Sequence, residues 1–74
     1  MREIVITTEH IKLQDLLKLA ALVHSGGEAK ERIQAGEVRV NGGICLQRGK
    51  KIRPGDEVSF SGERLGVRYA DRPS

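Results

Sequence analysis

Aromatic residues are almost missing from this chain: one Phe, one Tyr and no Trp in 74 residues. Stacking platforms for splayed single-stranded bases, which rely on aromatic rings, are therefore not expected. A single cysteine, Cys45, excludes an internal disulfide, and a reducing cytoplasm is the expected setting. His10, His24 and Cys45 are the only soft metal ligands and share no paired spacing, so no metal site is expected. No apolar run approaches the roughly 18 residues of a membrane span. Met1-Arg2-Glu3 also lacks the basic-then-apolar order of a secretion signal, so a soluble protein without a membrane partner is expected. There is no Gly-x-Ser-x-Gly elbow and no Walker loop. Glu9, Asp15, Glu28, Asp56 and Glu57 read as helix-surface, cap and turn residues. No catalytic residue, no cofactor and no enzymatic activity are expected.

What is present is enough for one small domain over residues 1–70, with Asp71-Arg72-Pro73-Ser74 as a flexible tail. Hydrophobic residues make up 38 % of the chain. A chain this short buries only about 60 % of its unfolded surface, which places function on the outside. The net charge of +3 is distributed unevenly. Residues 1–36 are neutral. Between residues 30 and 53, Lys30, Arg32, Arg39, Arg48, Lys50, Lys51 and Arg53 face only Glu31 and Glu37, a local excess of +5. A concentrated basic stripe on a small domain is the electrostatic footprint of a polyphosphate binder.

Periodicity sets the elements. Ile4 and Ile6 alternate with Glu3, Val5 and Thr7, a short opening strand. Leu13, Leu16, Leu17 and Ala20 form the apolar stripe of a first helix ending near His24. Ser25-Gly26-Gly27-Glu28 has the form of a capping box, with the Ser25 hydroxyl on the Glu28 amide and the Glu28 carboxylate reaching back to the Ser25 amide. A second helix carrying Ala29 and Ile33 follows and stops at Gly36. The period then becomes two through Val38 and Val40. Asn41-Gly42 predicts a tight hairpin turn, with Ile44-Cys45-Leu46 returning. Pro54-Gly55 fits a type II turn, Ile52 is a buried anchor, and strands run through Val58 and through Leu65, Val67 and Tyr69. The Ser25-Gly26-Gly27 segment has two readings that coexist, a helix-helix turn and a set of free amides able to cradle a phosphate.

From Leu13 to Val58 the chain resembles the alpha-L RNA-binding motif, the S4-type domain. The resemblance is carried by the Leu-rich first helix and by Ser25 ahead of Ala29, Lys30 and Ile33. It continues through Gly36-Glu37-Val38-Arg39-Val40-Asn41-Gly42 and Ile52-Arg53-Pro54-Gly55-Asp56-Glu57-Val58. Leu16 to Ala20 followed by Ser25 to Lys30 is similar to the small stand-alone bacterial branch, the YbcJ-like and YaaA-like proteins. Many members open the first helix with Arg-Leu-Asp, where Lys12-Leu13-Gln14 stands here. The resemblance implies an α+β fold, a two-helix hairpin packed on a small mainly antiparallel sheet. It also implies binding of structured RNA, ribosomal or transfer RNA, by a free-standing adaptor.

The resulting expectation is a monomeric, non-enzymatic RNA-binding protein, ribosome-associated. Its contacts are Ser25, Gly26, Gly27, Lys30, Arg32, Arg39, Asn41, Arg48, Lys50, Lys51 and Arg53. With few aromatics, recognition by backbone shape is favoured over base reading. The alternative is a protein-interaction module or ribosome-assembly factor that contacts mainly protein, using an exposed edge of the Leu65-Val67-Tyr69 strand.

Overall fold

Ile4 and Ile6 point inward from β1 (Arg2–Ile6), while Glu3 and Val5 remain exposed. The computed structural model describes residues 1–70; the tail expected at 71–74 lies outside the described residues. After β1 come β2 (Ile11–Lys12), α1 (Leu13–Leu19), α2 (Gly26–Gln34), β3 (Val38–Val40), β4 (Gly43–Ile44), β5 (Lys51–Ile52), β6 (Glu57–Phe60) and β7 (Glu63–Tyr69). Five strands form one sheet in the order β1-β7-β6-β3-β4. The β1–β7 pair is parallel and the other pairs are antiparallel. β2 and β5 form a separate small ladder, with Ile11 opposite Ile52 and Lys12 opposite Lys51. The α+β class and the mainly antiparallel sheet are those the sequence predicts.

Leu13, Leu16 and Leu17 of α1 and Ala29 and Ile33 of α2 meet Ile4, Ile6, Val38, Val58, Phe60, Leu65 and Val67 of the sheet in one cluster. No polar or charged residue is buried among the described residues. No buried ion pair or polar side chain therefore contributes to the interior, where each fully buried Leu or Ile adds about 1.5–3 kcal/mol.

The first helix is shorter than its apolar stripe implies. It ends at Leu19 rather than near His24, because Ala21 takes φ 60°. The Ala21 amide donates to the Lys18 carbonyl and the Leu22 amide to the Leu17 carbonyl, both at 3.0 Å. These are the paired bonds of a Schellman stop, with alanine where glycine is usual. The early stop folds Leu22 and Val23 back against the core and leaves Ser25 free to begin α2. Ser25 Oγ accepts from the Glu28 amide at 3.1 Å, as expected. The reciprocal arm is shifted by one residue: Glu28 Oε1 accepts from the His24 amide at 2.7 Å, not from that of Ser25. The two amides are adjacent in the chain, and the carboxylate settles on the upstream one.

α2 stops with the same bond pattern, Gly36 (φ 80°) supplying the left-handed residue. Asn41 (φ 51°) and Gly42 (φ 86°) then turn β3 into β4, the type I′ hairpin their order predicts. The returning strand is shorter than expected. Only Gly43 and Ile44 pair; Cys45 still donates its amide to Val38 at 3.0 Å, and the chain then leaves the sheet toward Arg48. A larger difference concerns the last strand. β7 lies between β1 and β6, because the chain's first strand adds in parallel along its far side, so it offers no free edge to a partner.

Candidate nucleic-acid interface

α1 begins without a side-chain cap, yet its first amides need acceptors. The following loops supply them: Leu13 N–H donates to the Lys50 carbonyl at 2.9 Å and Gln14 N–H to the Arg48 carbonyl at 3.0 Å. A Lys50 N–H to Gln47 carbonyl bond of 3.2 Å closes the turn between them. Ile52, fully buried, pins the end of the segment to the core. The exposed side chains of Arg48, Lys50 and Lys51 therefore leave a backbone held at both ends.

A second set of bonds ties the β3–β4 turn to the Pro54-Gly55 turn. Asn41 Nδ2 donates to Asp56 Oδ1 at 3.1 Å, and Asn41 Oδ1 accepts from the Glu57 amide at 2.9 Å. The Asn41 amide donates to the Glu57 carbonyl at 2.7 Å. Asp56 Oδ2 accepts from the Arg53 amide at 2.8 Å, and the Asp56 amide donates to the Arg53 carbonyl at 2.9 Å. Asn41, named from the sequence as an RNA contact, thus has both ends of its side chain engaged within the protein.

The Arg53 amide is the main reason the Asp56 carboxyl is held below the ordinary aspartate range. Partial burial opposes it, while the Asn41 amide and the charges of Lys50 and Arg53 add to it. A carboxyl whose folded pKa is depressed stabilises the fold above its unfolded pKa, about 4, and loses that contribution as pH falls through the folded value. Urea midpoints of the wild type and Asp56→Asn should therefore differ most near neutrality and converge in acid. A difference that stays constant down to about pH 2.5 would show that the carboxylate charge contributes nothing.

Ion pairing spares most of the basic run and, among the described residues, also Arg2. Lys18 pairs with Asp15 at 3.6 Å, Arg64 with Glu57 at 3.1 Å and Arg68 with Glu3 at 3.3 Å. Of the seven cations named from the sequence, only Arg32 is paired, with Glu37 at 3.3 Å. Lys30, Arg39, Arg48, Lys50, Lys51 and Arg53 have no ion pair among the described residues, and all are exposed. Arg39 donates only to the Gly42 carbonyl of its own turn, at 3.3 Å.

Lys12 joins this group, although sequence reasoning did not name it. It stands directly opposite Lys51 in the β2–β5 ladder. Like charges in that position repel, and an anion bridging them would remove the penalty. The signal that could have found it was the Ile11-Lys12 and Lys51-Ile52 pair of dipeptides, too short to read as strands.

The remaining residues named from the sequence lie on α2 and its cap. Ser25 and Gly27 are exposed, Gly26 is half-buried, and Lys30 is exposed beside the buried Ala29. No hydrogen bond or ion pair among the described residues connects Ser25, Gly26, Gly27 or Lys30 to the Arg39, Arg48 or Arg53 segments. The other end of α2 does meet the hairpin: a Cβ on Gly36 would lie 3.8 Å from Ile44 Cγ2. No group of three or more His, Cys, Asp or Glu side chains able to hold a metal occurs among the described residues. No helix there is long and apolar enough to cross a membrane.

Comparison with known proteins bears on this arrangement. The S4 domain family model matches residues 4–68. YbcJ of Escherichia coli (strain K12), by its name a candidate RNA-binding protein, is 41% identical over 58 residues, 78% of this chain and 83% of its own length. RlbA of Bacillus subtilis (strain 168), by its name a candidate ribosome maturation protein, is 44% identical over 57 residues, 77% of this chain and 80% of its own. The solution structure of YbcJ from E. coli, described as revealing an alpha-L motif involved in RNA binding, matches with a TM-score of 0.70 at 36% identity. That match covers 92% of this chain and 87% of the other. Two helices on a mainly antiparallel sheet, shared with YbcJ, and a family match running from β1 into β7 make this chain a member of the S4 domain family.

Proposed function

We propose that this protein is a non-enzymatic RNA-binding protein that docks structured RNA through the unpaired cations of α2, the β3–β4 hairpin and the loops on either side of β5. The observation that carries this reading is the absence, among the described residues, of ion pairs at Lys30, Arg39, Arg48, Lys50, Lys51 and Arg53, while three of the cations elsewhere, Lys18, Arg64 and Arg68, sit on carboxylates and Arg2 does not. Exposed cations without partners keep their full field for phosphates. The Lys12–Lys51 pairing adds a local demand for an anion. The names of YbcJ and RlbA point the same way, RlbA toward the ribosome, which makes ribosomal RNA the first class to test and transfer RNA the second. The protein acts in the cytoplasm as a monomer. Asn41 serves this surface by positioning, since it joins the end of β3, the strand that carries Arg39, to the turn that Arg53 opens.

The test is the salt dependence of binding to unfractionated transfer RNA and to fragmented ribosomal RNA. With about 4 to 6 phosphates contacted, the slope of log affinity against log salt is expected near −3 to −5. A slope close to zero would reject the phosphate reading. Contact mainly with protein, the alternative, has lost the β7 edge it relied on. It would return only if a purified ribosomal protein bound this chain after nuclease treatment.

A further inference from the structure

The basic loops border a surface that is not itself basic. An open groove of about 520 Å³ runs beside β4, walled by Val40, Ile44 and Leu46, with Gln47 and Lys50 on its polar side and no carboxylate among its lining residues. Ile44 is 55% exposed and Leu46 57%. Of the six large hydrophobic side chains exposed among the described residues, these two stand together, beside Lys50. β4 is also the last strand of its sheet. Gly43 faces Val40 across the ladder and Cys45 donates to Val38. By the alternation of an antiparallel ladder, the Ile44 N–H and C=O face away from β3.

One outward donor and one outward acceptor suit the edge of a single planar base. They are too few for an added strand, which pairs through a run of several residues. Lys50, the one charged residue in the lining, favours an occupant that carries negative charge. We infer that this groove takes one unpaired nucleobase of the bound RNA. Ile44 and Leu46 lie against the base, the Ile44 backbone and the Gln47 amide meet its edge, and Lys50 meets a neighbouring phosphate. The inference rests on the RNA-binding reading and adds selectivity to it, because a continuous duplex has no base to offer. Aliphatic walls take the place of the missing aromatic rings.

The test uses an RNA hairpin with one bulged 2-aminopurine in its stem and the same hairpin without the bulge. The wild type is expected to bind the bulged form about tenfold more tightly, with a change in 2-aminopurine fluorescence. Leu46→Ser and Ile44→Ser should each abolish that preference, leaving the affinity for the unbulged hairpin, its salt slope and the unfolding temperature unchanged. Leu46 lies outside the strands, so its variant remains informative if Ile44→Ser loosens the hairpin. Equal affinities of the wild type for the two hairpins, with a steep salt slope, would overturn the groove and leave the RNA reading standing. A flat slope with both would sink the two together. Saturable binding of a peptide of alternating Val and Glu, lost in Leu46→Ser, would make the groove a strand-docking site and overturn the inference.

Discussion

Replacing Arg39 and Lys51 together by glutamate is expected to weaken binding to transfer RNA by about 100-fold at low salt and to reduce the salt slope by about 2. Arg39 stands on β3 and Lys51 on β5, in different sheets, so the double variant asks whether separate segments serve one polyanion. Neither side chain has a carboxylate partner among the described residues. Their loss therefore removes no ion pair, and Lys51→Glu even relieves the repulsion from Lys12. The unfolding temperature should hold or rise slightly while binding collapses. Arg68→Gln is the control. It breaks a surface pair with Glu3, an interaction worth about 0–1 kcal/mol, and should leave RNA affinity within about twofold. The double variant changes the net charge by −4 and the control by −1, so a control loss of about a quarter of the variant's on the logarithmic scale would mean that only overall charge matters; no loss in the double variant would remove the docking surface.

Elements set by local pattern were legible in the chain. The Ser25 cap, the Gly36 stop and the Asn41-Gly42 turn each depend on residues within a few positions, and each appears in the structure. What was not legible depends on distance in sequence. The position of β7 inside the sheet follows from the pairing of Arg2 with Leu65, which no window of neighbouring residues contains. β2 and β5 are two residues long each, below the length at which period two has meaning. The end of α1 is hidden because an alanine, not a glycine, takes the left-handed turn at position 21. The candidate site divides the same way. The basic run was plain in the sequence, but which cations are neutralised was not. Arg32 is paired through the fold with Glu37, and Asn41 is engaged by Asp56 and Glu57, 15 and 16 residues away.

Ile52→Ala is expected to cost about 2–5 kcal/mol, against a total stability of roughly 4–11 kcal/mol for a chain of this length. Ile52 is fully buried and faces Ile11 across the small ladder, so truncation leaves a cavity under the segment that carries Arg48, Lys50 and Lys51. The loop keeps its bonds to the Leu13 and Gln14 amides. The surviving folded fraction should therefore still bind RNA, and binding should pull the population back toward the native state. Ligand at about 100 times its Kd adds roughly 2.7 kcal/mol, enough to restore much of the lost urea midpoint. Ile44→Ala, at a residue more than half exposed, should shift that midpoint by no more than about 0.5 kcal/mol. A cost below about 1 kcal/mol for Ile52→Ala would mean that the basic loop is not anchored through the core. If RNA failed to rescue the variant, the binding surface would depend on β5 packing rather than on the carbonyl contacts at the start of α1.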